Sequence, residues 1–146
     1  MKRKEKKTVT LYSDGSSLGN PGAGGWGVIL EYKGIQKELS GAHPDTTNNR
    51  MELTAVIKGL EQLKEPCRVE IVTDSSYVAN AINSWLDNWI AKDFKKVKNV
   101  DLWKEYIEVA KEHEIKATWI RGHSGHTQNE RCDEMAVKAA KKIKEN

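Results

Sequence analysis

The chain of 146 residues is long enough for one domain, residues 1–146, built around a single hydrophobic core without disulfides or a structural metal. Its formal net charge is +3, and its two cysteines, Cys67 and Cys132, lie far apart, which argues against a disulfide framework and a zinc ribbon. No stretch is apolar enough to cross a bilayer and residues 1–7 lack the apolar region of a signal peptide, so we expect a cytoplasmic protein.

The positive charge is concentrated in two short segments. Residues 1–7 contain five Lys or Arg and one Glu, residues 92–98 contain four Lys and one Asp, and the rest of the chain is net negative. Local basicity of this kind is typical of a surface that contacts a polyanion. A flexible basic tail over residues 1–7 and a solubilising loop are the alternative, and for the N-terminal segment we expect such a tail.

The first predicted element is a half-buried strand over residues 8–17 that carries Asp14 followed by Gly15. An Asp before a Gly is in itself typical of a turn. Residues 19–25 are predicted as a turn region, and strands over residues 26–32 and 35–40 complete an antiparallel meander.

The segment Gly22-Ala23-Gly24-Gly25-Trp26-Gly27 matches the dinucleotide fingerprint G-x-G-x-x-G. A true fingerprint opens a helix directly after its strand, whereas here the apolar, β-branched run Val28-Ile29-Leu30 follows. The sequence therefore argues against nucleotide binding.

An amphipathic helix follows, because Thr46-Thr47-Asn48-Asn49 offers helix caps and apolar residues recur at helical spacing as far as residue 63. Glu52 lies at the edge of the apolar face, beside small residues that permit close approach. It is interpreted either as an acid with a partner in the core or as a first-turn acid favoured by the helix dipole.

A second apolar strand begins after Pro66 and again ends on an aspartate, Asp74, followed by helix-capping serines. Sites in open α/β sheets form at the carboxyl ends of strands, so Asp14 and Asp74 are predicted to meet at one edge. A simple helix N-cap is the alternative for Asp74.

Residues 77–113 are predicted to be helical in pieces, interrupted by the basic segment 92–98. Trp85 and Trp89 share one helix face. Aromatic residues beside lysines can stack on sugars or bases while the ammonium groups meet phosphates, but tryptophans at this spacing also pack in cores. Both interpretations stay open here.

The last predicted elements are a short strand over residues 115–120, a loop that contains His123 and His126, and a C-terminal helix. Asp133 lies beside the apolar stripe of that helix, where an ordinary first-turn acid is the alternative.

The four acids occupy related positions, with Asp14 and Asp74 at strand ends and Glu52 and Asp133 in the first turns of helices beside their packing faces. Clustered carboxylates repel one another and resist burial unless a cation neutralises them. An all-oxygen ligand set suits hard divalent ions such as magnesium or manganese. We therefore predict a metal site built from these four acids.

Several motifs follow one another along nearly the whole chain. They are Ser13-Asp14-Gly15-Ser16 with Gly19-Asn20-Pro21-Gly22, Asn48-Asn49-Arg50-Met51-Glu52-Leu53, Thr73-Asp74-Ser75, and Gly122-His123-Ser124-Gly125-His126 with Asn129-Glu130-Arg131-Cys132-Asp133-Glu134. Together they resemble the bacterial type I ribonuclease H family. The resemblance implies an α/β fold with a five-stranded mixed sheet, three antiparallel strands followed by two parallel ones, flanked by helices.

The resemblance also implies roles for individual residues. The catalytic set would be the metal ligands Asp14, Glu52, Asp74 and Asp133, together with His123, which would assist proton transfer or product departure. Substrate would be bound by Asn20 and Asn49 in the RNA minor groove, by Thr47 and Asn99 at a DNA phosphate, and by Trp85, Lys95 and Lys96 in the DNA channel and basic protrusion.

The function implied is endonucleolytic hydrolysis of the RNA strand of RNA/DNA hybrids by a monomer. Two Mg²⁺ ions, with Mn²⁺ as a substitute, would activate water and stabilise the leaving 3′ oxygen. Products would carry 5′-phosphate and 3′-hydroxyl ends, with little sequence preference. Asp45 stands where similar enzymes often have a basic residue, and the protrusion is shorter than in some relatives, which bears on affinity rather than on chemistry.

Three other functions are compatible with some of the same residues. A carboxylate–magnesium site on this architecture could also perform DNA strand transfer or junction cleavage. A non-catalytic nucleic-acid-binding module would need the basic segments but not the four acids. A zinc site from His123, His126 and Cys132 is a weaker hypothesis, because the histidines lie in a glycine-containing loop and a further Cys/His pair is missing.

Overall fold

The structure is a computed structural model that describes residues 6–122 and 125–145. Its strands are β1 (Lys7–Ser17), β2 (Gly22–Tyr32), β3 (Ile35–Thr46), β4 (Cys67–Thr73) and β5 (Glu114–Trp119). Its α-helices are α1 (Asn48–Glu61), α2 (Ser76–Asn80), α3 (Leu86–Ala91), α4 (Val100–Ala110) and α5 (Thr127–Lys144), and a π-helical turn, Ala81–Trp85, joins α2 to α3.

The strands form one sheet in the order β3-β2-β1-β4-β5. The β1–β2 and β2–β3 pairs are antiparallel, whereas β4 is parallel to β1 and β5 is parallel to β4. The predicted five-stranded mixed sheet, with three antiparallel strands followed by two parallel ones, is therefore confirmed.

Helices cover both faces of the sheet, because successive side chains of a strand point to opposite faces. Leu11 of β1 packs in the main core with α1, α4 and the buried Trp103. Its neighbour Tyr12 packs with Cys132 of α5 in a smaller cluster on the other face. Both cysteines are free and buried, as predicted.

The glycine-rich segment after β1 is strand rather than the predicted turn region, since β2 begins at Gly22 and only residues 18–21 connect it to β1. The reason is the close approach of α5. A Cβ atom at Gly25 would collide with the carbonyl oxygen of Ala136 and lie 2.8 Å from the backbone nitrogen of Ala140. Glycine at this strand position therefore permits the helix backbone to rest directly on the sheet.

We expect Gly25→Ala to lower the free energy of unfolding by about 3 kcal/mol, the upper end of the usual cost of an overpacked core. The added methyl group meets backbone atoms, which cannot turn aside as a side chain can. Urea denaturation monitored by circular dichroism measures the change. Ser40→Ala, on the exposed part of β3, is the control and should stay within about 0.5 kcal/mol of wild type.

Several boundaries differ from the sequence prediction. Lys7 belongs to β1 rather than to the predicted tail, and residues 1–5 lie outside the described residues. The third strand continues to Thr46 instead of ending at residue 40, because β3 stays paired with β2 as far as Gly22.

The start of α1 lies within the predicted capping segment. α1 begins at Asn48, where the side chain of Thr47 accepts a hydrogen bond from the backbone N–H of Arg50, and α5 begins at Thr127. Glu52 and Asp133 therefore lie in the second turns of their helices and not in the first turns as expected. Attraction to the helix N-terminus, which falls off within the first turn, is consequently a poor explanation for either acid.

The interrupted helical region is confirmed. Between α3 and α4 the backbone has positive φ angles at four residues that are not glycine: Asp93, Phe94, Lys96 and Asn99. Such angles cannot continue a right-handed helix, so the basic segment forms an irregular protrusion. Among the described helices, none has the length and apolarity needed to cross a membrane.

Candidate active site

Two of the four predicted acids lie side by side at one edge of the sheet. In the parallel pairing of β1 with β4, Ser13 is opposite Thr73, so Asp14 and Asp74 are the next residues on the two chains. Neighbouring strands are about 4.8 Å apart, which brings the two carboxylates within reach of one ion. The prediction that both acids meet at this edge agrees with the geometry.

Helix α1 brings Glu52 to the same place because it packs directly on the end of β1. A Cβ atom at Gly15 would collide with the backbone of Met51 and Glu52, so only glycine permits this contact. Glu52 is buried, with 8% of its surface exposed, although it is a charged residue type. The packing of α1 on β1 thus forces a carboxyl group next to Asp14.

Asp14, Glu52 and Asp74 each offer an oxygen atom, and these atoms lie within 4.8 Å of one another. Asp133, from α5, borders the same cleft and raises the pKa of Asp14, but it does not belong to this set of three. The structure therefore brings three predicted ligands together and places the fourth at the margin.

Burial is the main cause of raised pKa values at Asp14 and Glu52, and neighbouring negative charge adds to it. Burial raises the pKa of Asp14 to about 7, and the charge of Asp74 and the proximity of Asp133 add to the rise, while a hydrogen bond with Glu52 opposes it. Burial also raises the pKa of Glu52 well above its usual range, with the negative charge of Asp14 as the next cause. Such raised pKa values are typical of carboxyl groups that have no cation beside them to stabilise their ionised form.

The donor set fits a hard divalent cation. The buried Oε2 atom of Glu52 has no hydrogen-bond partner among the described residues, and three carboxylates converge on one point. Cys132 does not suit the zinc alternative, because burial raises the pKa of its thiol to about 12 and the thiol contacts the carbonyl oxygen of Tyr12. The oxygen ligands are those that magnesium and manganese prefer.

Two residues near Asp74 were given no role at the sequence level. The exposed Trp119, at the end of β5, donates a hydrogen bond of 3.0 Å from Nε1 to the backbone carbonyl of Asp74. Asn129, buried in the first turn of α5, lines the cleft with Asp14, Asp74 and Asp133. Asn129 lies four residues before Asp133, and this helical spacing was the available signal.

The residues predicted to contact RNA lie beside Glu52. Asn20, in the exposed β1–β2 connection, accepts a hydrogen bond of 3.3 Å from the backbone N–H of Asn48. Asn48 in turn accepts bonds of 2.7 and 3.0 Å from Ser17, and Asn49 is exposed in the first turn of α1. Asn49 precedes Glu52 by three residues and so occupies the same side of the helix.

Thr47 and Asn99, predicted to hold one DNA phosphate, are linked through Arg50. Arg50 donates hydrogen bonds from its backbone to Thr47 and from its guanidinium group to Asn99 and, in a bidentate pair, to Asp101. Asn99 also donates to the hydroxyl of Tyr77, so both ends of its side chain are engaged. The sequence prediction missed Arg50 as the residue that joins α1 to the protrusion.

The predicted DNA-facing residues are accessible. Trp85 is 42% exposed and its ring lies 5.9 Å from that of Trp89, which in turn packs against the buried Trp103. Lys95 and Lys96 are exposed on the protrusion. Trp89 therefore supports the core, whereas Trp85 presents part of its ring to solvent. His123, predicted to assist catalysis, lies outside the described residues.

Comparison with known proteins gives a consistent set of similarities. A sequence model described as RNase H matches residues 6–141. A protein of Sulfurovum sp. (strain NBC37-1) named Ribonuclease H is 65% identical over 144 residues, which cover 99% of this chain and 98% of that protein.

Solved structures of ribonuclease H proteins are also similar to this chain. The chain is similar to LC9-RNase H1, described as a type 1 RNase H with the type 2 active-site motif, with a TM-score of 0.89 and 32% identity over 97% of this chain and 76% of that one. It is also similar to LC11-RNase H1 in complex with an RNA/DNA hybrid, with a TM-score of 0.72 and 25% identity over 92% of this chain and 97% of that one.

Proposed function

The chain belongs to the ribonuclease H family, and on this basis we propose that its acidic cleft hydrolyses the RNA strand of RNA/DNA hybrids with the help of Mg²⁺. The observation that carries the proposal is the convergence of oxygen atoms from Asp14, Glu52 and Asp74 within 4.8 Å. The solved relative with a bound hybrid supports the substrate class.

The four acids would hold two Mg²⁺ ions, or Mn²⁺ as a substitute. Such ions lower the pKa of water and stabilise the charge on the attacking and leaving oxygens of an in-line displacement. A water molecule attacks the phosphorus atom and the bond to the 3′ oxygen breaks, which leaves 5′-phosphate and 3′-hydroxyl ends. The residues themselves provide negative charge in a buried cleft, where it attracts cations most strongly.

Selection of the RNA strand would come from Asn20 and Asn49. Both carry amide groups that can donate to and accept from 2′-hydroxyl groups, which RNA displays in a wide minor groove. Asn49 lies within one helical turn of Glu52, and Asn20 accepts a hydrogen bond from the first residue of the same helix, so a strand bound there would pass the acids. Contacts to sugars rather than bases imply little sequence preference.

The DNA strand would lie along the protrusion. Thr47 and Asn99, joined by Arg50, form a polar cluster suited to one phosphate, and Lys95 and Lys96 add positive charge nearby. The exposed ring of Trp85 offers a stacking surface. Asp45, in the exposed part of β3, would weaken phosphate binding compared with a basic residue.

The remaining predictions concern His123 and the state of the protein in the cell. His123, which lies outside the described residues, would shuttle a proton or assist product departure. The chain would work as a monomeric single domain in the cytoplasm.

The test is cleavage of an end-labelled RNA/DNA hybrid compared with single-stranded RNA, duplex RNA and duplex DNA, with and without Mg²⁺. Of these substrates we expect only the hybrid to be cleaved, and only with Mg²⁺. The products should carry 5′-phosphate and 3′-hydroxyl ends, which an RNA ligase can join. Duplex DNA cut as readily as the hybrid would favour strand transfer or junction cleavage. Hybrid binding without Mg²⁺-dependent turnover would favour a non-catalytic module.

A further inference from the structure

One buried polar atom in the cleft has no part in the reaction described so far. Asn129 is 8% exposed, and its Nδ2 donates a hydrogen bond of 3.0 Å to the backbone carbonyl of Val72 on β4. Its Oδ1 is fully buried and accepts no hydrogen bond from any residue within 6–122 and 125–145. A buried acceptor without a donor costs free energy, so a donor from outside the protein is expected at this position.

The bond to Val72 decides which way the carboxamide faces. Because the carbonyl of Val72 can only accept, the nitrogen of Asn129 must face β4 and the oxygen must face away from it. Val72 is two residues before Asp74, and Asn129 is four residues before Asp133 on the same side of α5. Asn129 lines the same cleft as Asp14, Asp74 and Asp133.

The neighbouring acids cannot satisfy this oxygen while they are ionised, because a carboxylate accepts hydrogen bonds and donates none. A water molecule can. Mg²⁺ dehydrates reluctantly and keeps several waters when carboxylates bind it, and residues around a metal site commonly hold such waters and ligands in place.

We propose that Asn129 is a positioning residue of the metal site, whose Oδ1 accepts a hydrogen bond from a water molecule in the hydration shell of the cation. The inference rests on the proposed metal-dependent function. Val72 keeps the carboxamide in the required orientation, so the position of this water is determined by β4 and α5, the two elements that also carry or adjoin Asp74 and Asp133.

The test measures Mg²⁺ binding to the substrate-free full chain by titration calorimetry, together with the thermal stability of each variant in a chelator. Asn129→Leu, which removes the acceptor, is expected to weaken Mg²⁺ binding about tenfold, the lower end of the usual cost of losing a residue that supports a metal site. Asn129→Asp cannot donate to Val72 but keeps an acceptor oxygen and adds negative charge, so it is expected to bind Mg²⁺ at least as tightly as wild type.

Asn83 provides a matched control. It also anchors its carboxamide on a strand, by bonds of 2.7 and 3.2 Å to the backbone of Ala117, but both of its polar atoms are satisfied and it does not line the cleft. Asn83→Leu should lower thermal stability and leave Mg²⁺ affinity unchanged. If Asn129→Leu does not fold, Asn129→Ala replaces it with the same expected loss.

Two results would overturn the inference while the proposed function stands. One is wild-type Mg²⁺ affinity in folded Asn129→Leu or Asn129→Ala, and the other is an equal loss in Asn129→Asp, which would assign Asn129 to the anchoring of Val72 alone. Failure of the proposed function is recognised separately, because the wild-type chain would then neither bind Mg²⁺ nor cleave a hybrid.

Discussion

Asp14→Asn is expected to lower kcat for hydrolysis of an RNA/DNA hybrid by about a thousandfold or more at saturating Mg²⁺. The substitution keeps the shape of the side chain but removes the negative charge at the centre of the cluster. Asp14 interacts there with Glu52, Asp74 and Asp133. Single-turnover cleavage of a labelled hybrid over a range of Mg²⁺ concentrations separates weaker cation binding from a slower reaction.

Glu61→Gln is the control for this loss. Glu61 is exposed at the end of α1, the helix that carries Glu52, so the same exchange of carboxylate for amide should leave kcat unchanged. Asp74→Asn should resemble Asp14→Asn. If Asp74→Asn retained wild-type cleavage with Mg²⁺, the assignment of Asp74 as a ligand would be wrong.

The same substitution is expected to stabilise the protein when no divalent cation is present. Burial raises the pKa of Asp14 from 3.8 to about 7, so in the metal-free protein its ionised form is disfavoured in the folded state. Near pH 8 we expect Asp14→Asn to raise the free energy of unfolding by about 2 kcal/mol, below the limit of about 4 kcal/mol that the full rise in pKa allows. The reduction reflects the sharing of charge with the neighbouring acids.

The direction of the pH dependence follows from proton binding. Because the pKa of Asp14 is higher in the folded state than in the unfolded state, the folded protein binds more protons between about pH 4 and pH 7. Its stability therefore falls over this range as pH rises, and the advantage of Asp14→Asn grows from about zero to its full value. Urea denaturation in a chelator at several pH values measures both proteins.

Mg²⁺ provides the control for the stability prediction. A ligand that binds only the folded state stabilises it, so Mg²⁺ should raise the stability of wild type and have little effect on Asp14→Asn. Equal stability of the two proteins near pH 8 in a chelator would contradict the prediction, since it would mean that the buried carboxylate of Asp14 is not disfavoured.

The sequence predicts the individual strands and the acids because each depends on a local pattern, whereas the five-stranded mixed sheet is implied by the family resemblance. Asp14 follows the apolar part of β1 and Asp74 directly follows β4, and the carboxyl ends of parallel strands lie at one edge, so their meeting follows from the topology. Glu52 stands out because a charged residue borders an apolar helix face. The metal interpretation then follows from the chemistry of clustered carboxylates.

Other features depend on contacts between distant segments and have no local signal. The glycines at the start of β2 have the composition of a turn, and only the approach of α5, more than 100 residues later, shows why they lie in a strand. The link from Arg50 to Asn99 and Asp101 joins residues about fifty positions apart. The free Oδ1 of Asn129 is likewise visible only once Val72 occupies the nitrogen.

The register of β1 against β4 affects how much the rest of the chain can vary. The backbone hydrogen bonds that place Ser13 opposite Thr73 set the separation of Asp14 and Asp74 without any contribution from the connections before and after these strands. The turn at residues 18–21 and the link at residues 62–66 can therefore change in length without moving the two acids. An insertion of one residue within either strand, ahead of its acid, would in contrast turn that acid to the opposite face of the sheet and abolish the site.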